Sequence, residues 1–96
     1  MDNFNIKKAV TKLRAISHPM RLSIIRFIEE KKEVNVSTIY HSLKIEQSVT
    51  SQQLKILRLA GMVFSDRRGK EIYYSLNYKE ITHLLDGVKK LVKDHS

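Results

Sequence analysis

Between Ile45 and Val63 the chain reads IEQSVTSQQLKILRLAGMV, polar and small at its front, apolar toward its back and closed by an Ala-Gly stop. The pattern predicts a helix. Thr50, Leu54 and Leu57 recur at i, i+4 and i+7 and form an inward stripe. At about 100° per residue the opposite face carries Ser48, Gln52, Lys55 and Leu59, with Ser51 and Ile56 on its flanks. An ordinary solvated helix carries Glu as well as Lys, yet no acidic residue stands between Gln47 and Ser65. Ser and Gln hydrogen-bond base edges in a major groove, and Lys reaches a phosphate. Such a helix suits a polyanion; the plainer reading is a set of polar residues solvating an exposed face.

Length and charge point the same way. A chain of 96 residues has room for one modest core, so a single domain over residues 1–96 is expected. Eighteen Lys and Arg against ten Asp and Glu give a formal charge of +8, which raises affinity for nucleic acid or an anionic membrane surface. No apolar stretch approaches the roughly 20 residues that span a bilayer. The opening MDNFNIKK lacks the basic-then-apolar order of a signal peptide. Without Cys there is no disulfide, and a cytoplasmic location is expected.

Five helices and one hairpin are predicted. Ile6, Ala9, Val10, Leu13 and Ile16 share one stripe of a first helix from Ile6 to Ile16. Ser17 or His18 before Pro19 marks the next helix start. That second helix is apolar on several sides (Met20, Leu22, Ile24, Ile25, Phe27, Ile28), as a central helix would be. Glu30 to Glu33 reads as a loop. Asn35 caps a short helix, Val36 to Leu43, and Lys44-Ile45-Glu46 turns into the polar-faced helix. Beyond Gly61 the period changes: Val63 to Arg67 and Glu71 to Leu76 are β-prone, joined through Arg68-Gly69-Lys70, where Gly supplies the positive φ of a tight hairpin. Asn77 then caps a last helix with Ile81, Leu84, Leu85, Val88, Leu91 and Val92 on one face.

Three helices, a turn, a helix, a basic hairpin and a closing helix make a winged helix-turn-helix, mainly α with a two-stranded wing. At this point the chain also resembles the ArsR-type (ArsR/SmtB) bacterial repressors. The matching residues are Ile16 to Leu22 (ISHPMRL), Gln47 to Leu54 (QSVTSQQL), Leu57 to Val63 (LRLAGMV), Arg68-Gly69-Lys70 and Tyr73 to Leu76 (YYSL). The chain departs from the pattern at Gln53, where the family usually has His, which is expected to alter local packing but not the fold.

The resemblance implies a homodimeric transcriptional repressor whose first and last helices pack across a twofold axis. It places the family's base-reading positions on Gln47, Ser48, Ser51 and Gln52. Helix geometry independently favours Ser48 and Gln52, then Ser51, and sets Gln47 nearer the packed side. Lys55 is expected at a phosphate. Arg67, Arg68 and Lys70 suit a wing entering or skirting the minor groove, although exposed hairpins also carry charge simply to stay soluble. Ile6, Val10 and Leu13, with Leu84, Val88 and Leu91, are the expected dimer contacts. Gly87 either admits a close partner helix or is a tolerated exposed glycine. A membrane-surface role for LLDGVKKLVK lacks the Trp and Phe anchors it would need.

Metal sensing is not expected. The resemblance places the cysteine pair of metal-sensing relatives on Asn35 and Ser37, which supply no thiolate. It places the other known site on Tyr78, Glu80, Leu91 and Asp94, none of them His. His83 with Asp86, joined by His95 of the partner subunit, is the remaining combination, and it falls short of a tetrahedral zinc set. His18 reads as a helix cap, His41 as a packed or exposed ring, and the other two His as solvent-facing. No cofactor motif, phosphate loop or catalytic triad stands out, so an enzyme is not expected. The competing class is a winged helix that binds protein, which should expose an apolar patch; Ile56 and Leu59 are the one feature in its favour.

Overall fold

The computed structural model describes residues 5–94. Along them run α1 (Ile6–Ser17), α2 (Pro19–Lys31), β1 (Glu33–Asn35), α3 (Val36–Leu43), α4 (Gln47–Leu59), β2 (Val63–Arg68), β3 (Glu71–Leu76) and α5 (Tyr78–Asp94). The readings that fall on the first four residues and on His95 lie outside the described residues.

Four of the five described helices begin where a polar side chain accepts from an early amide. The backbone N–H of Lys8 donates to Asn5 Oδ1 at 3.1 Å, and that of Met20 donates to His18 Nδ1 at 3.2 Å. Pro19 occupies the first position of α2, where an N–H would have no helical partner. Asn35 Oδ1 accepts from Thr38 N–H at 2.9 Å, and Asn77 Oδ1 accepts from Glu80 N–H at 3.3 Å. The caps expected at His18, Asn35 and Asn77 are therefore in place.

The polar-faced helix occupies Gln47–Leu59 within the longer run from Ile45 to Val63. Its end explains the shortening. Gly61 adopts φ +77°, its N–H donates to Arg58 O at 3.0 Å, and Met62 N–H donates to Leu57 O at 3.0 Å. This paired closure satisfies the last carbonyls and turns the chain back on itself, and Met62 seals it by burying completely beside Leu57.

Central position falls to α2, which packs against α1, α3, α4, β1 and β3. Ile24 and Ile28 are wholly enclosed, together with Ile39, Leu54, Leu57 and Met62. Around them close Val34, Val63, Tyr74, Leu76 and Leu84.

One element departs from the sequence expectation. Glu33, expected to end a loop, begins β1, and β1 pairs antiparallel with β3 through Glu33↔Ser75, Val34↔Tyr74 and Asn35↔Tyr73. The wing is thus two strands of a three-stranded sheet in the order β1-β3-β2. A lone hairpin is marginal in water; here β1 secures one edge while Val63, Tyr74 and Leu76 anchor the sheet in the core. Its turn is two residues long, Gly69 at φ +64° followed by Lys70, and glycine is the residue type a tight hairpin needs at its first central position.

Candidate nucleic-acid interface

The seating of α4 defines what it offers to solvent. Thr50, Leu54 and Leu57 have no exposed surface, as the i, i+4, i+7 stripe requires. Thr50 brings a hydroxyl into the core, and that hydroxyl donates to Glu46 O at 3.0 Å, so its burial leaves no polar group unmatched. The opposite side presents Gln47, Ser48, Ser51, Gln52 and Lys55, all exposed. Gln47, set nearer the packed side by helix geometry, is exposed in the first turn. Glu46 at the N-cap makes no side-chain cap hydrogen bond, so the first amides of this helix are left to an outside acceptor.

A single guanidinium fixes the helix relative to α1. Arg21 Nε donates to Ala15 O at 2.5 Å, Nη2 to Arg14 O at 3.4 Å, and Nη1 to Gln53 Oε1 at 3.0 Å. Gln53, the position that departs from the family's pattern, is therefore where α2 grips α4. Altered packing is expected there from the sequence, but Arg21 as the partner is not, since it lies 32 residues away.

On the wing, alternate residues take opposite faces. Arg67 and Lys70 are exposed at the tip, with Arg67 Nε donating to Gly69 O at 3.3 Å. Arg68 is engaged elsewhere. Its two terminal nitrogens donate to Glu33 Oε1 and Oε2 at 2.8 and 2.7 Å, its Nε donates to Asp66 Oδ2 at 2.9 Å, and its plane lies over the Tyr73 ring, 4.6 Å from the centroid. These donors hold the Glu33 carboxyl below the ordinary carboxylate value and raise the Arg68 guanidinium further above its own. The sequence groups Arg68 with the DNA-facing wing residues; its partners give it the job of tying the wing to β1. Nothing local in RRGK distinguishes Arg67 from Arg68, and the partner that does is 35 residues upstream.

The expected dimer residues divide. Ile6 and Val10 are exposed on α1, and Leu13 is half-buried against the core. On α5, Leu84 is only 1% exposed; it belongs to the protomer's own core. Val88 and Leu91 are partly buried. The outward apolar residues of α5 are Leu85 and Val92, the latter 63% exposed. Lys12 Nζ meets Glu80 Oε1 at 2.5 Å and joins α1 to α5, while the Tyr78 hydroxyl donates to Glu29 and joins α5 to α2.

The positions where relatives carry metal ligands do not fit a metal here. Asn35 Oδ1 already accepts from Thr38 N–H and from the Ser37 hydroxyl, so both residues serve the start of α3. Tyr78 and Glu80 are engaged with Glu29 and Lys12. Among the described residues no group of three or more His, Asp or Glu is gathered that could hold a metal ion.

Known proteins share this arrangement. Residues 18–65, from the His18 cap through the start of the wing, match the family described as bacterial regulatory protein, arsR family. The transcriptional repressor PagR of Bacillus anthracis is 38% identical over 81 residues, covering 83% of this chain and 76% of PagR. The HTH-type transcriptional repressor SmtB of Mycobacterium tuberculosis is 35% identical over 83 residues, 85% of this chain but only 61% of SmtB. The crystal structure of PagR superposes with a TM-score of 0.71 at 34% identity, covering 91% of this chain and 94% of PagR. Among the described residues no helix is long and apolar enough to cross a membrane. With its winged-helix fold and this sequence kinship, the chain belongs to the ArsR family of bacterial regulatory proteins, a family of regulators rather than enzymes.

Proposed function

We propose that the protein is a cytoplasmic transcriptional repressor, a single domain that binds double-stranded DNA as a homodimer at a palindromic operator. The observation that carries this reading is the outer face of α4, where Gln47, Ser48, Ser51 and Gln52 lie exposed together without an acidic neighbour on the helix. Ser48 and Gln52 read base edges, supported by Ser51 and Gln47. Lys55 and the uncapped first amides of α4 take phosphates, as do Arg67 and Lys70 on the wing. Arg68 holds the wing in position instead. The names PagR and SmtB carry as transcriptional repressors support the same assignment. Ile6 and Val10 on α1, with Leu85 and Val92 on α5, form the apolar surface that a second copy covers, with Leu13, Val88 and Leu91 behind them. A twofold dimer sets two half-sites about one helical turn apart, or a small multiple of that.

Base reading and backbone attraction separate experimentally. Gln52→Ala should cost about 1–3 kcal/mol on the operator and little on unrelated duplex. Lys70→Ala should weaken both, and should make the slope of log K against log salt shallower by about 0.9, the value for one phosphate no longer neutralised. Equal losses of Gln52→Ala on every duplex, together with an unchanged salt slope for Lys70→Ala, would place the DNA surface elsewhere. The exposed Ile56 and Leu59 favour a second reading, a winged helix docking an acidic protein; a mobility shift against random duplex at low and moderate salt distinguishes the two.

A further inference from the structure

The recognition helix has a second exposed feature, away from the polar face. Where α1 passes the C-terminal end of α4, two hollows of about 350 and 380 Å³ share Thr11, Leu59 and Ala60 and so form one groove. Its apolar element is Leu59, 70% exposed, with Ile56 beside it. Its rim is basic: Lys7, Lys8 and Arg14 line it, and among the described residues no acidic residue does. Lys12 is engaged with Glu80, and Arg21 with two carbonyls and Gln53. The ammonium groups of Lys7 and Lys8 and the guanidinium of Arg14 make no ion pair among the described residues.

We infer that this groove is an effector site for an organic carboxylate with an apolar body, held by Leu59 and Ile56 through its chain and by Lys7, Lys8 and Arg14 through its charge. Three observations choose this occupant. The volume falls in the range of about 300–1,000 Å³ typical of small-ligand sites. The apolar floor and the unpaired cationic rim complement the two ends of such a molecule. The groove also lies to one side of the proposed dimer surface: Lys8, Thr11 and Ala15 fall across α1 from Ile6 and Leu13 at about 100° per residue, with Lys7 and Arg14 between the groove and Val10.

The site touches the recognition helix directly. Leu59 and Ile56 lie on α4 itself, and Arg21, whose Nη1 holds Gln53, lines the same groove. A carboxylate seated there competes for the Arg21 guanidinium and wedges α1 from α4. Its effect on DNA affinity equals the difference in its affinity for the free and DNA-bound arrangements. That consequence rests on the DNA-binding reading; the binding itself does not.

Octanoate is the probe, titrated into the DNA-free, full-length protein and followed by backbone amide NMR. Saturable shifts are expected at Thr11, Arg14, Ala15, Ile56, Leu59 and Ala60, with octanol at least five-fold weaker. Leu59→Glu and Arg14→Gln alter exposed side chains and should each weaken octanoate at least five-fold while leaving the rest of the spectrum in place. Shifts centred elsewhere, equal binding of octanol, or undiminished binding by both variants would overturn the site. So would poly-glutamate shifting these residues where octanoate does not, which would point to a protein partner. In a second arm, saturating octanoate should lower operator affinity at least five-fold; binding in the groove with unchanged operator affinity would overturn the effector role. Because the first arm contains no DNA, failure of the DNA-binding reading leaves its result intact.

Discussion

Helices α4 and α5 are both amphipathic, yet they meet their surroundings in opposite ways. The inner stripe of α4 is fully enclosed by its own chain: Thr50, Leu54 and Leu57 are all at 0% exposure. The apolar side of α5 is enclosed only at Leu84, and Leu85 and Val92 face outward. In α4 the enclosed stripe is narrow and is closed over by α1, α2, α3 and β2, so the face opposite it is free to be polar. In α5 the arc is wider than the protomer can cover, and the excess calls for a second surface. The same periodic rule produces a finished inner stripe in one helix and an unfinished one in the other.

The contrast can be broken by substitution. Leu54→Ala should have the largest effect, about 2–5 kcal/mol of stability, because the enclosed site has little freedom to collapse. Urea unfolding at fixed protein concentration measures it. A cost below about 1 kcal/mol would mean that the inner face of α4 is looser than its burial indicates. Val92→Asp tests the other side: sedimentation at micromolar concentration should move from twice 11.2 kDa toward 11.2 kDa, with the protomer's fold unchanged. Leu84→Asp would not be informative here, since it would disrupt the core first. A Val92→Asp protein that still sediments as a dimer would show that the outward residues of α5 are not the interface.

The smallest expected effect sharpens the comparison at the Lys12–Glu80 ion pair, which joins α1 to α5. The hydrogen bond from Lys12 holds the Glu80 carboxyl below its ordinary value of 4.5, more than burial raises it. A carboxylate lowered in the folded state adds stability that is fully present above the ordinary value. That stability is lost as the pH falls through the lowered one. Thermal unfolding of the native protein and Lys12→Met should therefore differ slightly near neutrality and converge in acid. A difference that grows in acid would assign the pair a different role.

What was legible in the sequence follows from how local its signals are. The five helices, their caps at His18, Asn35 and Asn77, the Gly61 stop and the Gly69 hairpin rest on residues within a turn or two of one another. The exposed face of α4 is equally local. Strand β1 escapes a sequence reading because three residues are too few to display a period of two, and Glu30 to Glu33 carry the polarity of a loop. Arg68 groups with Arg67 because charge is visible in a sequence while a partner 35 residues away is not. Leu84 and Leu85 are inseparable on an apolar arc that wide, and only the position of the core decides which is enclosed. The groove beside Leu59 depends on where α1 crosses α4, which no single segment encodes.

Strand β1 carries a kinetic consequence. It is three residues long, yet it joins the wing to the N-cap of α3, because Asn35 both pairs with Tyr73 and accepts the Thr38 amide. Wing and helix-turn-helix are therefore joined in the free protomer, and on the proposed DNA-binding reading the wing needs no folding on docking. The association rate should then rise as ionic strength falls, through long-range charge acting on a preformed surface. Cutting the Arg68–Glu33 link would introduce a delay that salt cannot remove.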